Sequence, residues 1–106
     1  MAGGRNVLFW SPKARRDLID IWKYYAKTVS PEIADNLLRE IRAGAERLRE
    51  HPFSGRPRDE IAKGLRSLLV HPHSIIYRVT DQTVAIARIL HERRNLAAAF
   101  NENRKP

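Results

Sequence analysis

Val7-Leu8-Phe9-Trp10 is a run of β-branched, aromatic and aliphatic residues, which predicts a short strand ended by Ser11-Pro12. The same dipeptide starts a helix. A serine oxygen accepts N–H groups that the first turn leaves unpaired, and proline's missing N–H does no harm there. Ala14, Leu18, Ile21, Trp22 and Tyr25 then recur at helical spacing, with Lys13, Arg16, Asp20, Lys23 and Lys27 between them. Ser30-Pro31-Glu32 repeats the start signal, and Ile33, Leu37, Leu38, Ile41, Ala45 and Leu48 line one face as far as His51-Pro52. So short a connection predicts that the two amphipathic helices pack antiparallel as a hairpin.

Phe53-Ser54-Gly55-Arg56-Pro57-Arg58 reads as a loop leading to a sheet. From Leu65 the period changes to two over three runs, 65–71, 74–80 and 83–91, separated by Pro72-His73 and Asp81-Gln82. Connections this short imply an antiparallel meander, although neither dipeptide is a favoured hairpin turn. The expected fold is α+β in the order β-α-α-β-β-β, a helical hairpin on one face of an antiparallel sheet, in one domain over residues 1–106. Residues 92–106 are expected to form a mobile or weakly helical tail outside the core. Only Leu96 to Phe100, with Ala97, Ala98 and Ala99, supports a turn or two of helix.

Two helices cover one sheet face and leave the other in water. If alternation runs in phase through the first two strands of the meander, Leu65, Leu69, Ile75, Tyr77 and Val79 share one face. Leu68, Val70 and Ile76 then share the other with Arg66 and Arg78. Both sets are apolar, so the uncovered face is a candidate partner surface made of Arg66, Leu68, Val70, Ile76 and Arg78.

Composition narrows the partner. Lysine and arginine number 20 against 12 acidic residues, a net charge of +8, which suits a polyanion or an acidic protein. With no cysteine, disulfides, thiolate nucleophiles and cysteine zinc sites are excluded, and a reducing cytoplasm fits. No run approaches the ~20 apolar residues that span a membrane. His71-Pro72-His73 lacks the further ligands that a zinc site needs and reads as a strand end, so neither metal nor cofactor is expected. Trp10 and Trp22 read as core residues.

Arg66, His73, Tyr77, Arg78, Arg88 and His91 are the residue types that RNA cleavage uses: a base, an acid, and cations on the phosphate. A basic sheet with Tyr77 in the core explains the same residues. Arg88 and His91, an odd number of positions apart, fall on opposite faces of a regular strand.

The series from Trp10-Ser-Pro-Lys-Ala through Trp22-Lys-Tyr-Tyr25, then His51-Pro-Phe-Ser-Gly-Arg56, Gly64-Leu-Arg66, Ile76-Tyr-Arg-Val79 and Ile86-Ala-Arg-Ile-Leu-His91-Glu-Arg-Arg-Asn95, resembles the ParE branch of the ParE/RelE toxins over about residues 7 to 95. RelE-like ribonucleases usually bring a tyrosine near the end of the last strand or in the tail, and here none follows Tyr77. The resemblance therefore implies a noncatalytic cytoplasmic toxin that inhibits DNA gyrase and is neutralised in a hetero-oligomer by a ParD-like antitoxin. A RelE-like ribosome-dependent mRNA endoribonuclease is the alternative. On this reading Arg66, Leu68, Val70, Ile76 and Arg78 meet the antitoxin, while His91, Arg93, Arg94, Leu96 and Phe100 meet the target. A third class, a basic nucleic-acid-binding module, predicts steeply salt-dependent affinity, and no recognised motif supports it.

Overall fold

The computed structural model describes residues 6–94 and 96–101, the side chains of the last two excepted. Its elements are β1 (Val7–Trp10), α1 (Pro12–Thr28), α2 (Pro31–Arg47), β2 (Arg56–Pro57), β3 (Arg66–Val70), β4 (His73–Thr80), β5 (Thr83–His91) and α3 (Leu96–Asn101). Both helices begin where the sequence places them. Ser11 Oγ accepts the Ala14 N–H at 3.0 Å and Ser30 Oγ accepts that of Ile33 at 3.1 Å.

The sheet order is β1-β5-β4-β3-β2. The meander β3-β4-β5 is antiparallel as expected, whereas β1 runs parallel to β5. A two-residue strand, β2, lies inside the stretch read as a loop. The helical hairpin covers one face, where Ala14, Leu18, Ile41, Ala45 and Leu48 pack on Ile75, Tyr77, Val84, Ile86 and Ile89. Gly44 permits this approach, because a Cβ there would stand 2.7 Å from Val70 Cγ2. Trp10 joins this core as expected. Trp22 is half-buried instead and ties the two helices together, its indole N–H donating to Asp35 at 2.7 Å.

β5 carries one extra residue, which interrupts its ladder with β4. Ile76 pairs with Arg88 but Tyr77 with Ile86, leaving Ala87 opposite nothing. Ser11 holds this bulge, donating its hydroxyl to the Ala87 carbonyl at 2.9 Å while it caps α1. Beyond the end of β1, Asp17 takes over the edge of β5. Its carboxylate accepts the Ile89 N–H at 2.9 Å and both Arg88 Nε and Nη2, at 2.8 and 3.1 Å.

The second face is not bare. Leu65, Ile76 and Leu90 pack beneath Ala99 and Leu96 of α3 and against Ile61 and Ala62. Ala99 is 1% exposed. The expectation that residues after 92 stand outside the core is therefore corrected for Leu96 and Ala99, because the hairpin leaves Leu65, Ile76 and Leu90 uncovered and α3 buries them.

Candidate functional site

The surface of Arg66, Leu68, Val70, Ile76 and Arg78 does not exist as one face. Register decides this: Arg66 pairs with Tyr77, Leu68 with Ile75 and Val70 with His73, so even positions of β3 share a face with odd positions of β4. A two-residue hairpin turn pairs residues three apart, and such partners always differ in parity. Leu68 and Val70 accordingly pack against the helix-side core, and Ile76 is fully buried on the opposite face under α3.

The two arginines do separate work. Arg66 clasps the 53–55 segment, with Nη1 donating to the carbonyls of Phe53 at 3.1 Å and Gly55 at 2.6 Å and the guanidinium 5.0 Å from the Phe53 ring centroid. Arg78 lies on the outer face and donates Nε to the Lys63 carbonyl at 3.1 Å.

The outer face is open at its β1 end and also at Leu69 of β3, which is 57% exposed. Val7 and Phe9 are 61% and 48% exposed, and registers set Phe9 beside Ala85 and Ala85 beside Arg78, one row across three strands. The sequence carried a signal for this, since a strand with four consecutive apolar residues must present an apolar side chain to both faces.

Of the residues expected to meet a target, His91, Arg93 and Arg94 are exposed at the end of β5. His91 Nδ1 accepts the Arg93 N–H at 3.1 Å, and the His91 carbonyl accepts that of Arg94 at 2.9 Å. Leu96 belongs to the second core, and the side chain of Phe100 lies outside the described residues.

Among the candidate acid-base groups, Tyr77 is engaged in both directions. Its hydroxyl donates to the Pro52 carbonyl at 2.7 Å and accepts the Gly55 N–H at 2.9 Å. Burial pushes its pKa above 10.0. Arg88 is committed to Asp17, with the two side chains 11% and 13% exposed. It pairs opposite Ile76, while His91 pairs opposite His73, so the two fall on opposite faces as expected.

What the sequence did not foresee is a cavity of about 350 Å³ at the end of the helix-side core, lined by Asp20, Ile21, Tyr24, Tyr25, His73 and His91. Ring centroids stand 6.0 Å apart for Tyr25 and His73 and 5.5 Å apart for His73 and His91, both edge to face. His73 is 3% exposed and its Nδ1 meets no hydrogen-bond partner among the described residues. Burial first, and repulsion from His91 second, hold its pKa below the ordinary 6.5. Tyr25 sits on an apolar helical face, and nothing in its spacing announces that the face ends beside two histidines from neighbouring strands. Among the described residues no three His, Asp or Glu side chains converge as metal ligands. No described helix is long and apolar enough to cross a membrane.

Residues 8–96 match the family model described as ParE toxin of type II toxin-antitoxin system, parDE. The chain belongs to the ParE toxin family. The toxin ParE1 of Caulobacter vibrioides is 36% identical over 88 residues, 83% of this chain and 91% of the relative. The wider superfamily is present as well, since the toxin RelE3 of the same organism is 35% identical over 81 residues, 76% of this chain and 87% of the relative. Among solved structures, a chain of the chromosomal ParDE toxin-antitoxin system from P. aeruginosa superposes with a TM-score of 0.73 at 29% identity, covering 82% of this chain and 96% of that one. A ParE toxin thus has this architecture: two helices on a largely antiparallel sheet.

Proposed function

We propose that this ParE-family toxin acts in the cytoplasm by inhibiting DNA gyrase through protein contacts, without catalysis, and is neutralised in a hetero-oligomeric complex by an acidic ParD-like antitoxin. The observation that carries the noncatalytic reading is the state of Tyr77, the last tyrosine in the chain, whose buried hydroxyl is occupied as donor and acceptor by backbone groups. A proton-transfer group must reach the reacting atoms, and this one faces the loop at Pro52 and Gly55. The exposed end of β5, with His91, Arg93 and Arg94, is the surface assigned to gyrase. Neither metal nor cofactor, nor sequence-specific binding of nucleic acid, enters this reading.

A RelE-like ribonuclease is the second reading, and the cavity between Tyr25, His73 and His91 favours it, because two histidines and a tyrosine supply acid-base chemistry. Parallel assays of gyrase supercoiling and of ribosome-bound mRNA cleavage with the purified chain separate the two. Loss of supercoiling with intact RNA is the expected result. Specific RNA cleavage abolished by Tyr25→Phe or His91→Gln overturns it.

A further inference from the structure

β1 is the one long open edge of the sheet among the described residues. The opposite edge is closed at one end by β2, but no described strand pairs with β1 on its outer side, where Arg49 meets the chain only at Asn6, just before the strand. The N–H of Val7 reaches Gln82 at 2.8 Å and that of Ser11 reaches Ile86 at 3.0 Å. The alternation of a parallel ladder therefore turns the backbone groups of Leu8 and Trp10 away from β5. Unpaired edge donors and acceptors are a template for another strand, and natural proteins usually blunt such an edge with charge, proline or a bulge. Between Asn6 and Ser11 this chain has none of these. It presents Val7 and Phe9 to solvent instead.

We infer that β1 is the docking strand for an extended, acidic segment of the antitoxin, which adds to the sheet edge through Leu8 and Trp10 and rests apolar side chains on Val7 and Phe9. This rests on the reading that an antitoxin is the partner. Charge selects the occupant. The toxin carries +8, which opposes a second copy of itself. Basic groups bracket the strand, with exposed Lys13, Arg15 and Arg16 just after it and Arg49 held at its start by bonds to Asn6. Arg78 ends the row that begins at Phe9 and crosses Ala85. Alternating apolar and acidic side chains on the incoming strand match this arrangement, while the main chain supplies the hydrogen bonds.

The test uses the full-length toxin and the antitoxin encoded beside it, with amide exchange followed residue by residue and affinity by calorimetry. On complex formation the Leu8 and Trp10 amides should exchange at least about tenfold more slowly. Val7→Glu with Phe9→Glu, both at exposed positions, should weaken binding about a hundredfold while the melting temperature stays within a few degrees of wild type. Tight binding with both amides unprotected and the double variant unimpaired overturns the edge site and leaves the antitoxin reading standing. Absence of binding at micromolar concentration removes that reading and this site together. Concentration-dependent protection of the same amides in the toxin alone, with a sedimenting dimer, assigns the edge to a second copy and overturns the proposal.

Discussion

Replacing Tyr77 by phenylalanine removes one oxygen and unpairs two backbone groups. The Gly55 N–H, 2.9 Å from that oxygen, is buried against the ring, so water has little access to replace it, whereas the half-buried Pro52 carbonyl is partly rescued by solvent. Leaving one buried donor unpaired costs ~1–3 kcal/mol, and the net loss of a second bond adds up to ~1 kcal/mol, so Tyr77→Phe should cost about 2 kcal/mol. For a chain of this size that lowers the melting temperature by about 10 °C. Urea unfolding should show a lower midpoint at constant slope, since the packed ring remains. Gly55→Ala should cost at least as much, because its Cβ would stand 2.7 Å from Tyr77 Cε1 and 3.0 Å from the Ser67 carbonyl. The two changes should be non-additive, because both act on one contact. A Tyr77→Phe variant within about 0.5 kcal/mol of wild type would refute the argument, since it would mean that Gly55 finds another acceptor at no cost.

Asp17→Asn breaks a largely buried pair with Arg88 and weakens the acceptor of the Ile89 N–H. It should cost about 3 kcal/mol by chemical denaturation, and a loss below 1 kcal/mol would contradict the assigned role. His73 has a folded-state pKa below the unfolded value near 6.5, so the unfolded chain takes up a proton that the folded chain resists. Its contribution to stability is complete above pH 6.5 and is lost as the pH falls toward the folded-state value. The melting temperature should drop between pH 7 and pH 5, and His73→Phe should flatten that slope. Asp81 and Gln82 both hold positive φ, 46° and 63°, as a two-residue hairpin turn requires. Gln82→Gly should therefore stabilise the protein by about 1 kcal/mol, and no gain in melting temperature would show that the side chain makes up for its backbone strain.

The helices were legible because their signals are local: a serine cap, a proline in the first turn, an apolar stripe. The meander was legible from its period. The parallel pairing of β1 was not, because it joins Val7 to Thr83 across most of the chain, and no short-range pattern records such a contact. The assignment of side chains to faces failed for a different reason. Alternation was carried through the β3–β4 turn in phase, although a two-residue turn inverts parity. The information was present and the turn rule recovers it, moving Ile76 away from Leu68 and Val70. The Tyr25, His73 and His91 cavity depends on where a helix end falls relative to two strand ends, which only packing determines.

The extra residue in β5 gives this strand an uncommon tolerance. A change of length within a strand ordinarily slips every later side chain to the wrong face. Ala87 sits outside the pairing, however, with Val84 and Ile86 facing the helices before it and Ile89 and His91 after it. A chain lacking that one residue would regain an unbroken ladder with the same inner and outer faces, and would forfeit only the carbonyl that Ser11 holds. The same strand kept at full length but paired without the bulge would turn Arg88 inward beneath the helices and Ile89 out to water. The serine that opens α1 thus sets the phase of a strand more than seventy residues later in the chain.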